Sequence, residues 1–262
     1  MTKPLKITLL GCGSSTGVPR IGNDWGACDP NEPKNRRTRC SILVERGETA
    51  VLVDTSPDLR EQLLKTNTRR LDAVLFTHEH ADQAHGIDDL RTIAYLMRKR
   101  IPVYGDARCM AILRHRFDYC FQTPAGSSYP PILKEEIIEP GQVMTFGHGE
   151  DAISAIGFNQ DHGDVVSLGF RFDDFAYSSD VVRLDQRAFD TLAGIKVWVV
   201  DALRHAPHPS HSHLAQSLAW IDQLSVAQGI LTNMHLEMDY QSLCASLPPH
   251  VVPGYDGMVL TV

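Results

Sequence analysis

The chain has 262 residues, of which 43% are hydrophobic and 22% charged. This composition is ordinary for a globular protein that buries a sizeable core. Its 25 Lys and Arg against 32 Asp and Glu give a net charge of -7, which disfavours a general nucleic-acid coat, because a phosphate-backbone binder needs a basic face. No apolar run reaches the roughly 18 residues of a membrane span, and the cysteines lack C-x-x-C spacing. We therefore expect a cytoplasmic protein with reduced thiols.

The predicted elements are strands in pairs with helices at intervals. Short apolar runs indicate strands, and Ser56-Pro57 is typical of a helix start. This order favours a single α/β domain over residues 1–262, with two sheets inside and helices outside. In chain order we predict strands at 6–10, 41–45, 50–54, 71–77, 103–104, 143–146, 153–158, 166–172, 175–178, 196–202 and 229–233, helices at 56–65, 88–100, 107–120 and 214–223, and irregular chain at 18–39 and 121–142.

Histidine and aspartate collect where predicted strands end. In sheets flanked by helices, ligands gather beyond the carboxyl ends of the strands, so these polar strand ends indicate one shared site. The residues concerned are His78, His80 and Asp82 after one strand, and His162, Asp180, Asp201 and His235 after four others.

The spacing of His78 and His80 has its own chemistry. Residues two apart in an extended segment point to the same side, so both imidazoles can reach one ion. Asp82 follows in the same register or turns beneath it as a helix begins. Two imidazoles and a carboxylate suit zinc, manganese or iron. The pattern predicts a metal site.

These residues make the chain resemble the metallo-β-lactamase superfamily, whose hallmark is H-x-H-x-D-H at a strand end. Its similarity is greatest to the PhnP-type phosphodiesterases, relatives of tRNase Z. The resemblance implies an αββα four-layer sandwich of the metallo-β-lactamase type, with a metal centre between the sheet edges. The segments that carry it are Thr77–Gln83, Gly13–Pro19, Tyr177–Asp180, His211–Leu214 and Gly254–Met258.

The resemblance also implies roles for individual residues. Two divalent ions, Mn²⁺ or Zn²⁺, are implied, with a bridging hydroxide as the nucleophile. His213 stands where this branch places a general acid, and Ser210 and His211 are expected to bind the substrate phosphate. The implied metal ligands are His78, His80, Asp82, His162, Asp180 and His235, of which Asp82 also counts as catalytic.

Two positions depart from the family pattern. Gln83 stands where the family has a histidine after the aspartate, and Gln is a much poorer ligand than imidazole. The final family histidine often follows Leu-Thr directly, whereas Asn233 stands there and His235 comes two residues later. We assign His235 as the ligand because it lies on the same strand face under a two-residue period. Both departures fall on the second metal site, and His85 could support it.

The function expected from this resemblance is hydrolysis of a small phosphodiester, such as a cyclic nucleotide or cyclic ribose phosphate. The expected partners are that small phosphodiester or nucleotide and, for assembly, a second copy of the chain. We expect no membrane partner, since no apolar span is present, and no stable nucleic-acid partner, since the chain is acidic.

Three alternatives remain open. A tRNase Z-like nuclease would need a long arm between its middle histidine and bridging aspartate, and only 17 residues separate His162 from Asp180. A PqqB-like accessory protein without catalysis would fit a decayed second metal site, as Gln83 suggests. Hydrolysis of a thioester or lactone is disfavoured by the general acid, which such substrates do not need.

Overall fold

The computed structural model describes residues 3–262. Its strands are β1 Lys6–Gly11, β2 Ser41–Arg46, β3 Thr49–Val53, β4 Ala73–Leu75, β5 Ile101–Gly105, β6 Leu133–Ile137, β7 Val143–Phe146, β8 Ile153–His162, β9 Val165–Phe172, β10 Phe175–Ser178, β11 Val197–Asp201, β12 Gln228–Thr232, β13 Val251–Pro253 and β14 Val259–Thr261. Its α-helices are α1 Leu59–Thr66, α2 Ala81–Ala84, α3 Leu90–Met97, α4 Ala107–Arg116, α5 Asp118–Phe121, α6 Gln186–Leu192, α7 Leu214–Gln223 and α8 Tyr240–Ser246. Single turns of 3₁₀ helix lie at Pro33–Asn35, Ile87–Asp89 and Gly149–Asp151.

The strands of residues 3–262 form two seven-stranded sheets. The first has the order β14-β1-β2-β3-β4-β5-β6, and the second has the order β13-β12-β11-β10-β9-β8-β7. Neighbours from β3 to β6 run parallel, as do neighbours from β10 to β13. Parallel strands bring their carboxyl ends to one edge of a sheet, which is where the polar strand ends of this sequence meet.

The two sheets pack face to face, and strand β2 shows why. Ile42 and Val44 enter the cluster shared by both sheets, whereas Leu43 enters the cluster between the first sheet and its helices. Alternate residues of a strand face opposite sides, so a run that is apolar throughout builds two cores. On the far side, Trp220 of α7 packs against Trp198 of β11, with ring centroids 6.4 Å apart. The predicted αββα architecture is confirmed.

Several predicted boundaries are wrong for local reasons. Residues 121–142 contain strand β6, which is hard to see because Lys134, Glu135 and Glu136 break its apolar pattern. An edge strand tolerates such charge since it has one neighbour only. The predicted helix at 107–120 is interrupted at Phe117, where α4 ends and α5 begins. Asp58 rather than Ser56 precedes helix α1.

Helix α6 went unpredicted although its start signal was present. Asp185 caps it, with a side-chain oxygen that accepts from the Ala188 backbone amide at 2.8 Å. Among the residues described, none of the helices is both long and apolar enough to span a bilayer.

Candidate metal centre

His78 follows β4 and is oriented from behind by a chain of hydrogen bonds. The Thr77 hydroxyl donates to Asp54 Oδ2 at 2.9 Å, and the Thr77 amide donates to Asp54 Oδ1 at 2.8 Å. His78 Nδ1 lies 3.0 Å from the same hydroxyl, whose hydrogen is already used, so Nδ1 carries the proton. Nε2 of His78 is therefore the free ligand atom, and it is buried with no hydrogen-bond partner among residues 3–262.

His162 ends the long strand β8, and its ring is fixed in the same way. Its Nδ1 donates to the Ser210 backbone carbonyl at 2.7 Å, which leaves Nε2 available as a ligand. The ring centroid of His162 lies 5.0 Å from that of His78 and 5.2 Å from that of His80, and the rings of His78 and His80 are 4.5 Å apart. One ligand atom from each residue falls within 4.8 Å of the others.

This trio of imidazoles fits a divalent transition metal. Imidazole nitrogens are preferred ligands of zinc, and three protein ligands with an open position are typical of catalytic zinc sites. Burial, helped by the neighbouring imidazoles, lowers the pKa of His78 well below its usual value. A neutral ring offers a lone pair, so the unpartnered Nε2 is suited to an ion.

Asp180 joins His162 and His211 in a second group of ligand atoms within 4.8 Å of one another. Asp180 follows β10 with φ 54°, a left-handed conformation that a residue with a Cβ adopts rarely. Its Oδ1 lies 3.8 Å from His162 Nε2 and 3.9 Å from His211 Nδ1. Asp180 thus lies beside the imidazole trio, within reach of an ion bound to His162.

His211 lies at the centre, held by a buried carboxylate. Its Nδ1 lies 2.9 Å from Oδ2 of Asp201, which ends β11 and is fully buried. Its ring centroid is 4.7 Å from that of His162. Burial alone lowers the pKa of His211, but the charges of Asp201, Asp180 and Asp82, with the hydrogen bond to Asp201, outweigh it and raise that pKa to about 9. This pairing resembles the carboxylate–imidazole pairs that position proton donors.

Two side-chain amides contact Asp180 and His211, which belong to the second ligand group. Gln83 Nε2 donates to Asp180 Oδ2 at 3.1 Å. Asn233 follows β12 with φ 59°, and its Nδ2 lies 3.2 Å from His211 Nδ1. Both amides are about 1% exposed.

The other predicted site residues are placed differently. Asp82 is half-buried at the start of α2, and burial together with the charge of Asp180 raises its pKa. It belongs to neither group of ligand atoms found in residues 3–262. His213 also belongs to neither, and it is the residue before α7. Ser210 contacts the site through its carbonyl on His162, while its hydroxyl lies 3.3 Å from His208 Nδ1.

His235 does not share a strand face with Asn233, contrary to the prediction from a two-residue period. Strand β12 ends at Thr232, and Asn233 is left-handed, so the two-residue period does not continue. His235 lies outside both groups of ligand atoms in the described part of the chain, 3.8 Å from Glu237 Oε1. His85 is exposed and packs edge-on against Phe117, at 5.5 Å between centroids.

Sequence reasoning missed the roles of Asp201 and Asn233. Asp201 carried a signal, since it ends a buried strand and precedes the His-rich loop at 205–213. Asn233 carried one as well, because it stands where the resemblance expects a histidine. What the sequence could not show is which of His211 and His213 meets Asp201.

Two clefts have a predicted site residue, or sequence neighbours of one, in their lining. One, of about 590 Å³, includes Asp82, Arg20 and Arg39 in its lining. The other, of about 530 Å³, is lined by Asp161 and Gly163, the residues on either side of His162 in sequence, and by other side chains that include Arg108 and Arg183. Both volumes are in the range of small-molecule sites.

Comparisons with known proteins identify the family of the chain. Residues 49–234 match the profile described as "Beta-lactamase superfamily domain". A solved structure described as a new diphosphatase from the PhnP family superposes with a TM-score of 0.90 and 30% identity, covering 100% of this chain and 98% of that one.

Two curated relatives also match. A Porphyromonas gingivalis octanoyltransferase is 32% identical over 97% of this chain and 51% of its own length. A Bradyrhizobium ribonuclease Z is 30% identical over 53% of this chain and 46% of its own length. The chain thus spans about half the length of the first of these relatives.

The matched profile covers more than half of the chain, and the PhnP-family structure aligns along all of it at 30% identity. The chain belongs to the metallo-β-lactamase superfamily and, within it, to the PhnP family.

Proposed function

We propose that the protein is a metal-dependent hydrolase that cleaves a small phosphodiester, of the cyclic nucleotide or cyclic ribose phosphate type. The observation that carries this proposal is the His211–Asp201 pair beside the imidazole trio, with a ring-centroid distance of 4.7 Å from His211 to His162. A metal site next to a carboxylate-held imidazole combines what phosphodiester hydrolysis requires: charge neutralisation and a proton for the leaving oxygen.

His78, His80, His162 and Asp180 would hold the ion. When bound, a divalent cation supplies Lewis acidity and a water of lowered pKa. Three imidazoles favour Zn²⁺, with Mn²⁺ as the alternative. The hydrogen bonds from behind, Thr77 on His78 and Ser210 on His162, keep each Nε2 directed at the site.

His211 replaces His213 as the proposed proton donor. Asp201 occupies its Nδ1, so the proton to be given to a leaving alkoxide is carried on Nε2. An alkoxide needs that proton because it is a poor leaving group, whereas a thiolate leaves without one. The pair therefore favours an oxygen ester over a thioester.

The clefts favour a small substrate over an RNA. Volumes of about 530 and 590 Å³ suit a nucleotide-sized molecule. Between His162 and Asp180 the chain makes strands β9 and β10 with two tight turns, at 163–164 and 173–174, and has no room for a docking arm. A tRNase Z-like activity is the weaker candidate for this reason.

A diphosphate is the second candidate substrate. Both clefts contain arginines: Arg20 and Arg39 in one, and Arg108 and Arg183 in the other. Arginine side chains bind phosphate groups well, so the additional phosphate of a diphosphate has candidate partners there. Each arginine is paired with a carboxylate, so a phosphate would exchange one partner for another. The PhnP-family relative is itself described as a diphosphatase.

The test is a substrate panel on purified, metal-loaded protein. A 2′,3′-cyclic nucleotide and bis(p-nitrophenyl) phosphate represent phosphodiesters, ADP-ribose represents diphosphates, and a precursor tRNA and a thioester represent the alternatives. We expect the greatest kcat/KM on the cyclic nucleotide. Greater turnover of ADP-ribose would identify the diphosphate class instead. Bound metal with no turnover of any phosphoryl substrate would overturn the proposal and favour a PqqB-like accessory protein.

A further inference from the structure

We propose that this protein binds one catalytic metal ion per chain, and that Gln83 and Asn233 close the position of a second ion. The hydrogen bonds of these amides and the ligand atoms beside them limit how tightly a second ion could bind. This limit is independent of the substrate, so it stands or fails separately from the proposed function.

Gln83 forms a hydrogen bond with Asp180 Oδ2, the oxygen that a bridging carboxylate would offer to a second ion. Its Nε2 donates to Asp180 Oδ2 at 3.1 Å, and the opposite amide orientation would bring two oxygens together. An amide N–H group donates and offers no lone pair to a cation. Asp180 Oδ1, 3.8 Å from His162 Nε2, remains free for the ion that the imidazoles hold.

Asn233 stands at the second of the two positions where the resemblance expects a histidine. Its terminal nitrogen lies 3.2 Å from His211 Nδ1, a ring atom already paired with Asp201 at 2.9 Å. The left-handed backbone at Asn233, φ 59°, suits asparagine better than most residues. A neutral amide thus stands at Asn233, where the resemblance expects an imidazole for the second ion.

A second ion would find a poorer set of ligand atoms than the imidazole trio offers. Zinc sites use at least three protein ligands. The candidates are Asp82, which joins neither ligand group in residues 3–262, Gln83 Oε1, which is buried with no hydrogen-bond partner there, and His211, whose ligand group shares His162 and Asp180 with the first ion. One carboxylate, one neutral amide oxygen and one imidazole would hold a second ion less tightly than the imidazole trio holds the first, so the second ion would exchange readily with solvent.

The experiment measures metal content rather than activity. Chelator-treated protein is titrated with Zn²⁺ alone by calorimetry, and protein dialysed against excess Zn²⁺ is analysed for its elements. We expect one tightly bound ion per chain. Two ions with affinities within about tenfold of each other, a difference of roughly 1.4 kcal/mol, would overturn the proposal.

Variants test the role of the amides. Gln83→His/Asn233→His, which restores two imidazoles, should bind two ions, and so should Gln83→Glu, which keeps the size of the side chain. The matched control Gln122→His/Asn31→His adds the same imidazoles at exposed positions and should bind one. A folded double variant, judged by circular dichroism and its melting temperature, that still binds one ion would overturn the role of the amides. Should it not fold, Gln83→Glu and the unmodified protein decide the question.

Discussion

The two sides of the metal centre are built at equivalent places, beyond strand ends, yet they differ in what their polar atoms are free to do. On the imidazole side (His78, His80 and His162), partners behind two of the rings hold Nδ1 and leave Nε2 to the site. On the amide side (Gln83 and Asn233), the terminal groups contact Asp180 and His211 instead.

This difference shows that the ability of a side chain to bind the metal depends on its other hydrogen bonds as well as on its residue type. Asp201 holds the Nδ1 of His211 just as Ser210 holds that of His162. Both partners leave Nε2 free, but the carboxylate also stabilises a positively charged ring. His211 is therefore suited to proton donation in a way that His162 is not.

The largest expected effect comes from removing an imidazole-side ligand. His162→Ala takes away the nitrogen shared by both ligand groups. We expect Zn²⁺ affinity to fall by more than the roughly 100-fold typical of losing an outer partner, with activity falling in parallel. Calorimetric titration measures the affinity. His115→Ala, at an exposed histidine, is the control, and an unchanged affinity in His162→Ala would contradict the assignment.

The next largest effect distinguishes the role of His211 from that of His213. His211→Ala should lower kcat on an alkyl phosphodiester by about 10²–10⁴-fold, and far less on a nitrophenyl ester whose leaving group needs no proton. His213→Ala, a matched change two residues away, should change either rate by a few-fold at most. Steady-state kinetics would measure kcat of both variants on both esters. A larger loss of kcat in His213→Ala than in His211→Ala would refute the role of His211.

A smaller effect on metal affinity is expected from changing Thr77, which contacts His78 from outside the metal site. Thr77→Val removes the hydroxyl that links Asp54 to His78 while keeping a similar shape. Loss of such an outer partner typically costs about 10–100-fold in metal affinity. Thr77→Ser, which keeps the hydroxyl, should restore most of it. Equal affinities for the valine and serine variants would show that the hydrogen-bond chain does not matter.

The smallest effect is expected on the amide side. Asn233→Ala should leave the affinity for the first ion within a few-fold, since Asn233 is not one of its ligands. It should lower the free energy of unfolding by about 1 kcal/mol, because alanine tolerates φ 59° poorly. Asn233→Gly, which accepts that backbone freely, is the control for strain. Chemical denaturation of both variants checks this, and an alanine variant no less stable than the glycine variant would contradict it.

Much of the fold followed from periodicity. The apolar strands that alternate between two cores, such as Ile42, Leu43 and Val44, and the start of α7 at Leu214 were readable without coordinates. Elements whose pattern is charged or short were not, as β6 and α6 show, because local composition there resembles a loop. Tertiary neighbours turn such segments into an edge strand or a capped helix.

The sequence alone determined that histidine and aspartate follow several predicted strands, and that His78, His80 and His162 would meet at one site. The predicted strand order is enough for this result, because parallel strands share their carboxyl ends. Only the tertiary structure decided that His211 rather than His213 meets Asp201, and that His235 stays outside both ligand groups of the described chain. The position of His211 depends on the path of the loop at 205–213, and the position of His235 depends on the left-handed backbone of Asn233. Neither can be inferred from a residue period in the sequence.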